Sequence, residues 1–276
     1  MPKKNNGVEC PRAAKTRVHL AVGVSILATA VVHYSAAAVS DRGRKRASNE
    51  DAFGYSIEHG AYLVCDGMGG AAAGEIASSL AVDEVMRLLT DRPEGVPLQA
   101  LIEQAIFAAN EAIYSRSQAN PKLSGMGTTL VALVVNDSSV RVLNIGDSRC
   151  YRMRAGHLEQ ISQDHSLVDE QVRMGRMTPA EALRSPLRNV ITRALGTQSR
   201  VTPDIFELEA EPGDLFLLCS DGLTRELPDA RIESLMGAGL APAEGSLDAL
   251  CKKLVNEANS AGGGDNITCL LLHAEA

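Results

Sequence analysis

Four aspartates lie beside glycine at the ends of short apolar stretches. They are Asp66 in Asp-Gly-Met-Gly-Gly, Asp147 in Gly-Asp-Ser-Arg, Asp221 in Ser-Asp-Gly-Leu and Asp265 in Gly-Asp-Asn-Ile-Thr. Carboxylates gathered at one sheet edge repel one another, and their burial is costly unless cations neutralise them. Such hard oxygen ligands suit Mg²⁺ or Mn²⁺. The pattern therefore predicts a binuclear metal site, where a metal-bridging water of lowered pKa is the hydrolytic nucleophile.

A charged loop at residues 40–51 adds three further candidates. Glu50 and Asp51 are expected to act through metal-bound waters, and Arg46 offers a planar fork of donors that matches a phosphate dianion. Taken alone, a charge run of this kind is more often a solvated loop, and the Asp-Gly at 66–67 is more often a plain turn. The repetition of acidic segments along the chain favours the metal site.

Composition excludes several other classes of function. The formal net charge of −7 argues against a nucleic-acid or anionic-membrane partner, and 3% aromatic residues without tryptophan argue against a stacking platform for bases. The chain has no G-x-S-x-G, P-loop or histidine-rich metal pattern, so acyl hydrolases, nucleoside triphosphatases and zinc hydrolases lack support. Its six cysteines form no C-x-x-C pair, which predicts buried thiols in a reducing, cytoplasmic compartment.

Hydrophobic periodicity predicts the elements that must position these residues. Helices are expected at 71–89, 98–117 and 247–260. Strands are expected at 32–39, 52–57, 61–65, 130–136, 140–145, 150–153, 157–161, 204–208, 214–219 and 267–273. The stretch 164–196 is polar and helical, with breaks at Pro179 and Pro186, and we expect it to leave the sheets.

Residues 1–31 form a predicted N-terminal arm, either disordered or a short apolar segment, ahead of one domain at 32–276. A basic start, an apolar run at 18–32 and Ala36-Ala37-Ala38 outline a secretory signal. The run is shorter than the roughly 20 residues that span a bilayer. Cleavage after Ala38 would also remove most of the first strand, so an over-extended start or a docking arm is favoured.

Six segments, in this order, closely resemble the metal-dependent Ser/Thr protein phosphatases of the 2C type (the PPM family), particularly compact bacterial members. They are Ser-Asp-x-Gly-x-x-Arg-x-x-Asn-Glu-Asp at 40–51, Asp-Gly-Met-Gly-Gly at 66–70, Gly-Met-Gly-Thr-Thr at 125–129, Gly-Asp-Ser-Arg at 146–149, Ser-Asp-Gly-Leu at 220–223 and Gly-Asp-Asn-Ile-Thr at 264–268. The resemblance covers about residues 32–274. It implies an α+β fold, a four-layer α-β-β-α sandwich of two antiparallel sheets flanked by helices, with 164–196 as a mobile helical flap beside the active site.

The same resemblance implies a role for each matching residue. Asp66 would bridge two Mn²⁺ or Mg²⁺ ions, and Arg46 would hold the substrate phosphate. The other implied metal ligands are Asp221 and Asp265 on one ion, the Gly67 carbonyl on the other, Glu50 and Asp51 through waters, and Asp147 on a third, weaker ion.

Two departures from the family pattern matter. Met68 stands where animal members place a histidine proposed as general acid, so a metal-bound or bulk water is expected to protonate the leaving group. Arg225 stands where many bacterial members have an aspartate, which leaves two tight metal sites and puts the third in doubt. As alternatives, Arg225 points to solvent or pairs with Glu226 or Asp229.

The implied function is hydrolysis of phosphoserine and phosphothreonine in proteins, by a monomer paired with a Ser/Thr kinase. Two alternatives stay open: a catalytically weak binding module with the phosphatase fold, and a switch phosphatase acting on a regulatory partner. The flap arginines Arg173, Arg176, Arg184 and Arg188 either attract acidic phosphopeptides or serve solubility alone.

Overall fold

A computed structural model describes residues 32–69, 73–93, 95–239 and 246–275. The predictions for residues 1–31, including the secretory-signal alternative and Cys10, lie outside these ranges, as does Gly70. None of the helices within the described ranges has the length and apolar character needed to cross a membrane.

Two antiparallel sheets form the centre of the fold, and we number their strands in chain order. Sheet I contains, from edge to edge, β1 (His33–Asp41), β11 (Ile267–Glu275), β10 (Leu215–Cys219), β7 (Arg149–Arg154) and β8 (His157–Gln160). Sheet II contains β2 (Asp51–Ser56), β3 (Ala61–Met68), β5 (Leu130–Asn136), β6 (Ser139–Ile145) and β9 (Asp204–Glu209), with β4 (Gly127–Thr128) paired to the end of β3.

Helices cover the outer face of each sheet. They are α1 (Ala73–Thr90) and α2 (Leu98–Ala119) on sheet II, and α5 (Asp221–Thr224), α6 (Asp229–Gly239) and α7 (Leu247–Ala261) on sheet I. Two further helices, α3 (Leu167–Arg173) and α4 (Pro179–Arg184), lie between β8 and β9 in the chain. One apolar core lies between the sheets, a second lies between sheet II and α1–α2, and a third lies between sheet I and α6–α7. The predicted four-layer sandwich is confirmed.

Sheets that are covered on both faces need strands that are apolar throughout. The central strands β5 and β10 meet this requirement: Leu130–Val135 and all of Leu215–Cys219 are buried. This explains why the sequence shows continuous apolar runs there, whereas the edge strand β8 alternates between half-buried and exposed residues.

Small residues let α1 lie close against β2 and β3. Ala73, Ala77 and Ala81 recur every fourth residue on its buried face, which places them on one side of a helix. On the strand side, a Cβ at Gly54 would come within 2.8 Å of the Val82 side chain. This close approach brings the N-terminal end of α1 to the end of β3.

Periodicity and capping together explain α7. Its buried residues, Leu250, Cys251, Leu254, Val255 and Ala258, follow the three- and four-residue spacing of an amphipathic helix. The Ser246 hydroxyl accepts a hydrogen bond from the Ala249 N–H and caps the first turn. The predicted start at residue 247 is correct, and the helix ends one residue after the predicted end.

The structure contains elements that the sequence does not predict. Helix α6 was not predicted, although Ile232, Leu235 and Met236 are buried at helical spacing. Pro179 was expected to break the flap segment, defined as residues 164–196, but it instead opens α4. A proline fits the first turn of a helix because no hydrogen-bond partner is needed there, and Thr178 and Glu181 add a capping box.

Within the described ranges, the remaining five cysteines are free and buried, as predicted. Burial raises the pKa of each thiol above its ordinary range. They therefore serve as small apolar side chains of the cores.

Candidate active site

Asp66 lies within β3, not after its end as the sequence predicts. Strand β4 pairs with Gly67–Met68 and so prolongs β3 beyond the expected 61–65. The Asp66 N–H donates to Thr129 Oγ1, and the Asp66 carbonyl accepts from the Thr128 hydroxyl, each at 2.9 Å. The plain Asp-Gly turn is therefore wrong. The Asp66 side chain projects from a rigid, extended backbone.

Asp51 is the cross-strand partner of Asp66 in the β2–β3 pairing. Its Oδ2 accepts hydrogen bonds from the hydroxyls of Ser220 and Thr268, each at 2.7 Å. Its Oδ1 is buried and has no hydrogen-bond partner. Burial raises the pKa of Asp51 to about 6, although the two hydroxyl donors oppose the shift.

Asp147 and Asp221 present two more buried oxygens at the same end of the sandwich. Asp147 follows β6, and Asp221 opens α5; the Oδ1 of each is buried and has no hydrogen-bond partner. Burial raises the pKa of Asp147 to about 6 and, with the charge of Asp147 added, raises the pKa of Asp221 well above its usual range. The turn before Asp147 requires Gly146, whose φ is +105° and whose Cβ would lie 2.6 Å from Thr129.

Asp265 pairs with two arginines. Arg46 Nη2 lies 2.7 Å from Asp265 Oδ1, and Arg225 Nη1 lies 2.9 Å from Asp265 Oδ2. Arg225 also pairs with Asp221, which precedes it by one helical turn. The two guanidinium groups thus balance part of the negative charge of the cluster.

The alternatives for Arg225, in which it points to solvent or pairs with Glu226 or Asp229, are wrong. Glu226 accepts the Gly264 N–H at 2.8 Å, and Asp229 accepts the Tyr151 hydroxyl at 2.9 Å, so both carboxylates have other partners. The Arg225 side chain is 32% exposed and turns toward the acidic cluster rather than away from it.

Glu50 and Gly67 meet at the N-terminal end of α1. The Glu50 carbonyl accepts hydrogen bonds from the Gly67 N–H at 3.1 Å and from the Ser78 hydroxyl at 2.6 Å. A Cβ at Gly67 would lie 2.1 Å from the Gly74 carbonyl oxygen, so only glycine allows this approach. Burial raises the pKa of the Glu50 carboxyl, and the nearby Arg46 charge partly offsets that shift.

These carboxylates act on one another electrostatically. Burial, followed by the charges of Asp51, Asp221, Asp147 and Asp265, raises the pKa of Asp66 well above its ordinary value. The carboxylates are therefore near enough to oppose one another's ionisation, and a bound cation would favour their charged forms.

The donor set fits divalent metal ions. Three buried carboxylate oxygens, on Asp51, Asp147 and Asp221, lack a hydrogen-bond partner, and oxygen donors of this kind suit Mg²⁺ and Mn²⁺. Across the described part of the chain, no three acidic, histidine or cysteine side chains already surround a common point. Arg46 and Arg225 hold Asp221 and Asp265 in ion pairs instead, so metal binding requires these pairs to rearrange.

Several residues that position the site carry no predicted role. Asn266 is the main one: its Oδ1 accepts the Glu50 N–H at 2.9 Å, and its Nδ2 donates to the carbonyls of Arg42 and Ser48. It thereby holds the loop at 40–51 against the start of β11. The sequence signal was present, because Asn266 belongs to the Gly-Asp-Asn-Ile-Thr motif.

The cluster opens into a cavity of about 500 Å³, which we call the catalytic pocket. Its walls include Arg46, Glu50, Asp66, Met68, Asn189, Ile191, Asp221, Arg225 and Asp265. Asn189 and Ile191 come from the flap segment and were not predicted, because no motif surrounds them. The flap segment thus forms one wall of the pocket.

The motifs and the sandwich agree with comparisons to known proteins. The sequence profile described as Protein phosphatase 2C matches residues 41–260. The chain belongs to the protein phosphatase 2C family. This family consists of metal-dependent protein phosphatases, so the predicted family and enzyme class are both confirmed.

Relatives of this phosphatase 2C chain include two bacterial phosphatases. A serine/threonine phosphatase stp of Listeria monocytogenes serotype 4b (strain F2365) is 36% identical over 246 residues, covering 86% of this chain and 94% of that protein. The serine/threonine protein phosphatase PstP of Mycobacterium tuberculosis (strain ATCC 25618 / H37Rv) is 42% identical over 246 residues, covering 88% of this chain and 45% of PstP.

Solved structures of the same family share the fold. The crystal structure of Mycobacterium tuberculosis PstP/Ppp superposes with a TM-score of 0.80 at 38% identity, over 89% of this chain and 100% of that one. The PstP catalytic domain in complex with two manganese ions gives a TM-score of 0.79 at 36% identity, with the same coverage.

Proposed function

We propose that this phosphatase 2C chain hydrolyses phosphoserine and phosphothreonine in proteins at a binuclear Mn²⁺ or Mg²⁺ site. One observation carries the proposal: Asp51, Asp147 and Asp221 each bury a carboxylate oxygen that has no hydrogen-bond partner, and Asp147 and Asp221 line one cavity with Arg46. The manganese complex of PstP supports metal dependence, and the named activity of stp and PstP supports the substrate class.

The ligand roles follow the family resemblance, residue by residue. Asp66, Asp221, Asp265 and the Gly67 carbonyl would hold the two ions, with Glu50 and Asp51 acting largely through waters. Asp147 would belong to the weaker third site, which Arg225 puts in doubt. When bound, the ions supply a water nucleophile of lowered pKa and neutralise charge on the phosphoryl oxygens.

Arg46 binds the substrate phosphate. Its side chain is 46% exposed at the mouth of the catalytic pocket and already holds a carboxylate at 2.7 Å. A guanidinium that pairs with a carboxylate presents the same donor geometry to phosphate. Arg46 therefore exchanges Asp265 for the substrate, which orients the phosphoryl group in the pocket.

The leaving group takes its proton from solvent. Met68 lines the catalytic pocket at the position beside Gly67, and a thioether has no proton to donate. Histidine is likewise absent from the pocket walls within the described residues. We therefore expect that the pH dependence of kcat shows no ionisation of a histidine general acid.

The test is hydrolysis of p-nitrophenyl phosphate and of a phosphothreonine peptide by purified protein, with and without Mn²⁺. Metal-dependent turnover that disappears in Asp66→Asn supports the proposal, and the exposed Asp83→Asn on α1 is the matched control. A metal-loaded, folded protein that binds phosphoproteins but turns over neither substrate would instead favour the binding-module alternative.

A further inference from the structure

A second cavity, which we call the flap groove, joins the catalytic pocket to the flap segment. It has a volume of about 770 Å³. It shares Arg46, Asn189, Asp221, Arg225 and Asp265 with the walls of the catalytic pocket, so the two spaces are continuous. A groove of this size holds several side chains, whereas the reacting phosphoresidue needs only the catalytic pocket.

Part of the flap side of the groove is apolar, and we call this part the flap wall. Val168 and Ala182 are buried there, Val172 is half-buried, and Leu183 lines the same wall although it is 78% exposed. Val168 and Val172 lie four residues apart on one face of α3, and Ala182 and Leu183 lie on α4. Asp164, Asp169 and Arg188 of the flap segment also line the groove, and its far side is the charged cluster, so its apolar surface is confined to the flap wall.

We propose that the flap wall is a specificity subsite that binds an aliphatic side chain of the substrate, close in sequence to the phosphorylated residue. The proposal rests on the proposed function, because the occupant is the part of the substrate chain that extends out of the catalytic pocket. Continuity of the two cavities identifies this occupant: a peptide whose phosphate meets Arg46 has to extend past one side of the pocket, and the groove is the space that opens there. Burial of an aliphatic side chain against Leu183 and Val172 removes apolar surface from water on both partners.

Leu183 is the residue that decides the preference. Val168 and Ala182 are already covered by the protein, whereas most of the Leu183 side chain is free to contact a ligand. Leu187 is the matched control, because it is a leucine of the same segment, is 50% exposed and lies outside the groove walls. Both leucines are exposed, so their replacement by serine leaves the packing of the cores intact.

The experiment compares phosphothreonine peptides in which leucine replaces alanine at one flanking position at a time, with p-nitrophenyl phosphate as the substrate that has no flanks. For the unmodified protein, we expect leucine at one or two positions to raise kcat/KM about tenfold, the range of a single apolar contact in a pocket. Leu183→Ser should remove most of this preference and leave p-nitrophenyl phosphate hydrolysis unchanged, whereas Leu187→Ser should keep the preference. Val172→Thr, at equal size, should weaken it as a second test.

Three results would overturn the subsite. They are equal rates for leucine and alanine at every flanking position, retention of the preference in Leu183→Ser, and equal loss in Leu187→Ser. Failure of the proposed function looks different: the unmodified, metal-loaded protein would hydrolyse neither the peptides nor p-nitrophenyl phosphate, and the subsite would fall with it.

Discussion

Arg225 donates from Nη1 to Asp265 Oδ2 at 2.9 Å and thereby holds a carboxylate that the family pattern assigns to a metal ion. Its second contact, to Asp221, occupies another such carboxylate. Metal ions and this guanidinium therefore compete for the same carboxylates. At a separation of ~4 Å and an effective dielectric constant of ~20, a unit charge contributes about 4 kcal/mol. Solvent screening of a side chain that is one-third exposed reduces this figure.

Arg225→Ala should tighten Mn²⁺ binding at least about tenfold, a gain of ~1.4 kcal/mol. The metal-free protein should become less stable, because Asp221 and Asp265 lose their counter-charge. Calorimetric Mn²⁺ titration and urea unfolding in EDTA measure the two effects. Arg231→Ala, which removes an ion pair with Glu257 away from the site, is the control. An unchanged dissociation constant would show that Arg225 leaves the carboxylates at no cost.

Asp66→Asn and Asp265→Asn should each lower kcat/KM more than tenfold at matched Mn²⁺, a loss above about 1.4 kcal/mol in transition-state stabilisation. Both changes remove charge but preserve volume, so the fold should persist. In EDTA, Asp66→Asn should unfold at a higher temperature than the unmodified protein, since it relieves repulsion from the surrounding carboxylates. Activity above a tenth of the starting value would exclude a ligand role for the residue tested.

Arg46→Ala should raise KM for phosphopeptides more than it lowers kcat, if the guanidinium binds phosphate equally in the ground and transition states. Arg46→Lys should restore only part of the affinity, because an ammonium group lacks the planar fork. Steady-state kinetics of the three proteins at saturating Mn²⁺ provide the measurement. The control variant is Arg42→Ala, because Arg42 is an exposed arginine of the same loop. If KM is the same in Arg46→Ala and Arg42→Ala, Arg46 is only part of a solvated loop.

Asp51→Asn should change the pH dependence of stability in the metal-free protein. In the folded chain the Asp51 carboxyl keeps its proton up to a pKa of about 6, against 3.8 when unfolded. Unfolding between pH 4 and 6 therefore releases a proton, so the contribution of Asp51 to stability falls as pH rises through this window.

Asparagine keeps the acceptor for Ser220 and Thr268 but has no carboxyl to titrate. The stability difference between Asp51→Asn and the unmodified protein should thus grow from about pH 4 and level off above pH 7. Urea unfolding in EDTA at three pH values measures it, with the exposed Asp83→Asn as reference. A difference that is constant with pH would mean that Asp51 titrates at its ordinary value in the folded chain.

Arg188→Glu should reduce any preference for acidic flanking residues in phosphopeptides. Of the four flap arginines, only Arg188 lines the flap groove, and Arg173 instead donates to the Asp164 carbonyl. The preference should be several-fold at most, because Asp169 and Glu226 line the same groove. It should fade at ~1 M salt, where charges are screened within about 3 Å. The matched control is Arg184→Glu; an identical effect there would indicate general surface charge rather than the groove.

Much of the fold was predictable because local signals specify it. Apolar runs of five to seven residues, separated by turn residues, placed most strands to within one or two residues. Helix α6 escaped prediction because it is short and borders residues of mixed polarity. The extension of β3 escaped it for another reason: the pairing with β4 joins residues about 60 positions apart, and no local pattern encodes that pairing.

The site, too, combines residues that local motifs predict with contacts that only the fold creates. Its acidic residues stand in compact motifs, so the sequence identifies them, and the structure places them at one end of the sandwich. The pairing of Arg225 with Asp265 was not predictable, because it joins residues 40 positions apart and depends on the order of strands in sheet I. Similarly, Leu183 looks like any exposed leucine until α3 and α4 are folded beside the catalytic pocket.

The position of β11 in sheet I has a consequence for biosynthesis. This strand follows every other described element in the chain, yet it lies between β1 and β10. Asp265 and Asn266 directly precede it, so neither reaches the acidic cluster until β11 is inserted. A ribosome delivers these residues after the rest of the described fold, and pairings of such long sequence separation form slowly. The nascent chain is therefore expected to lack phosphatase activity until β11 has been made and inserted.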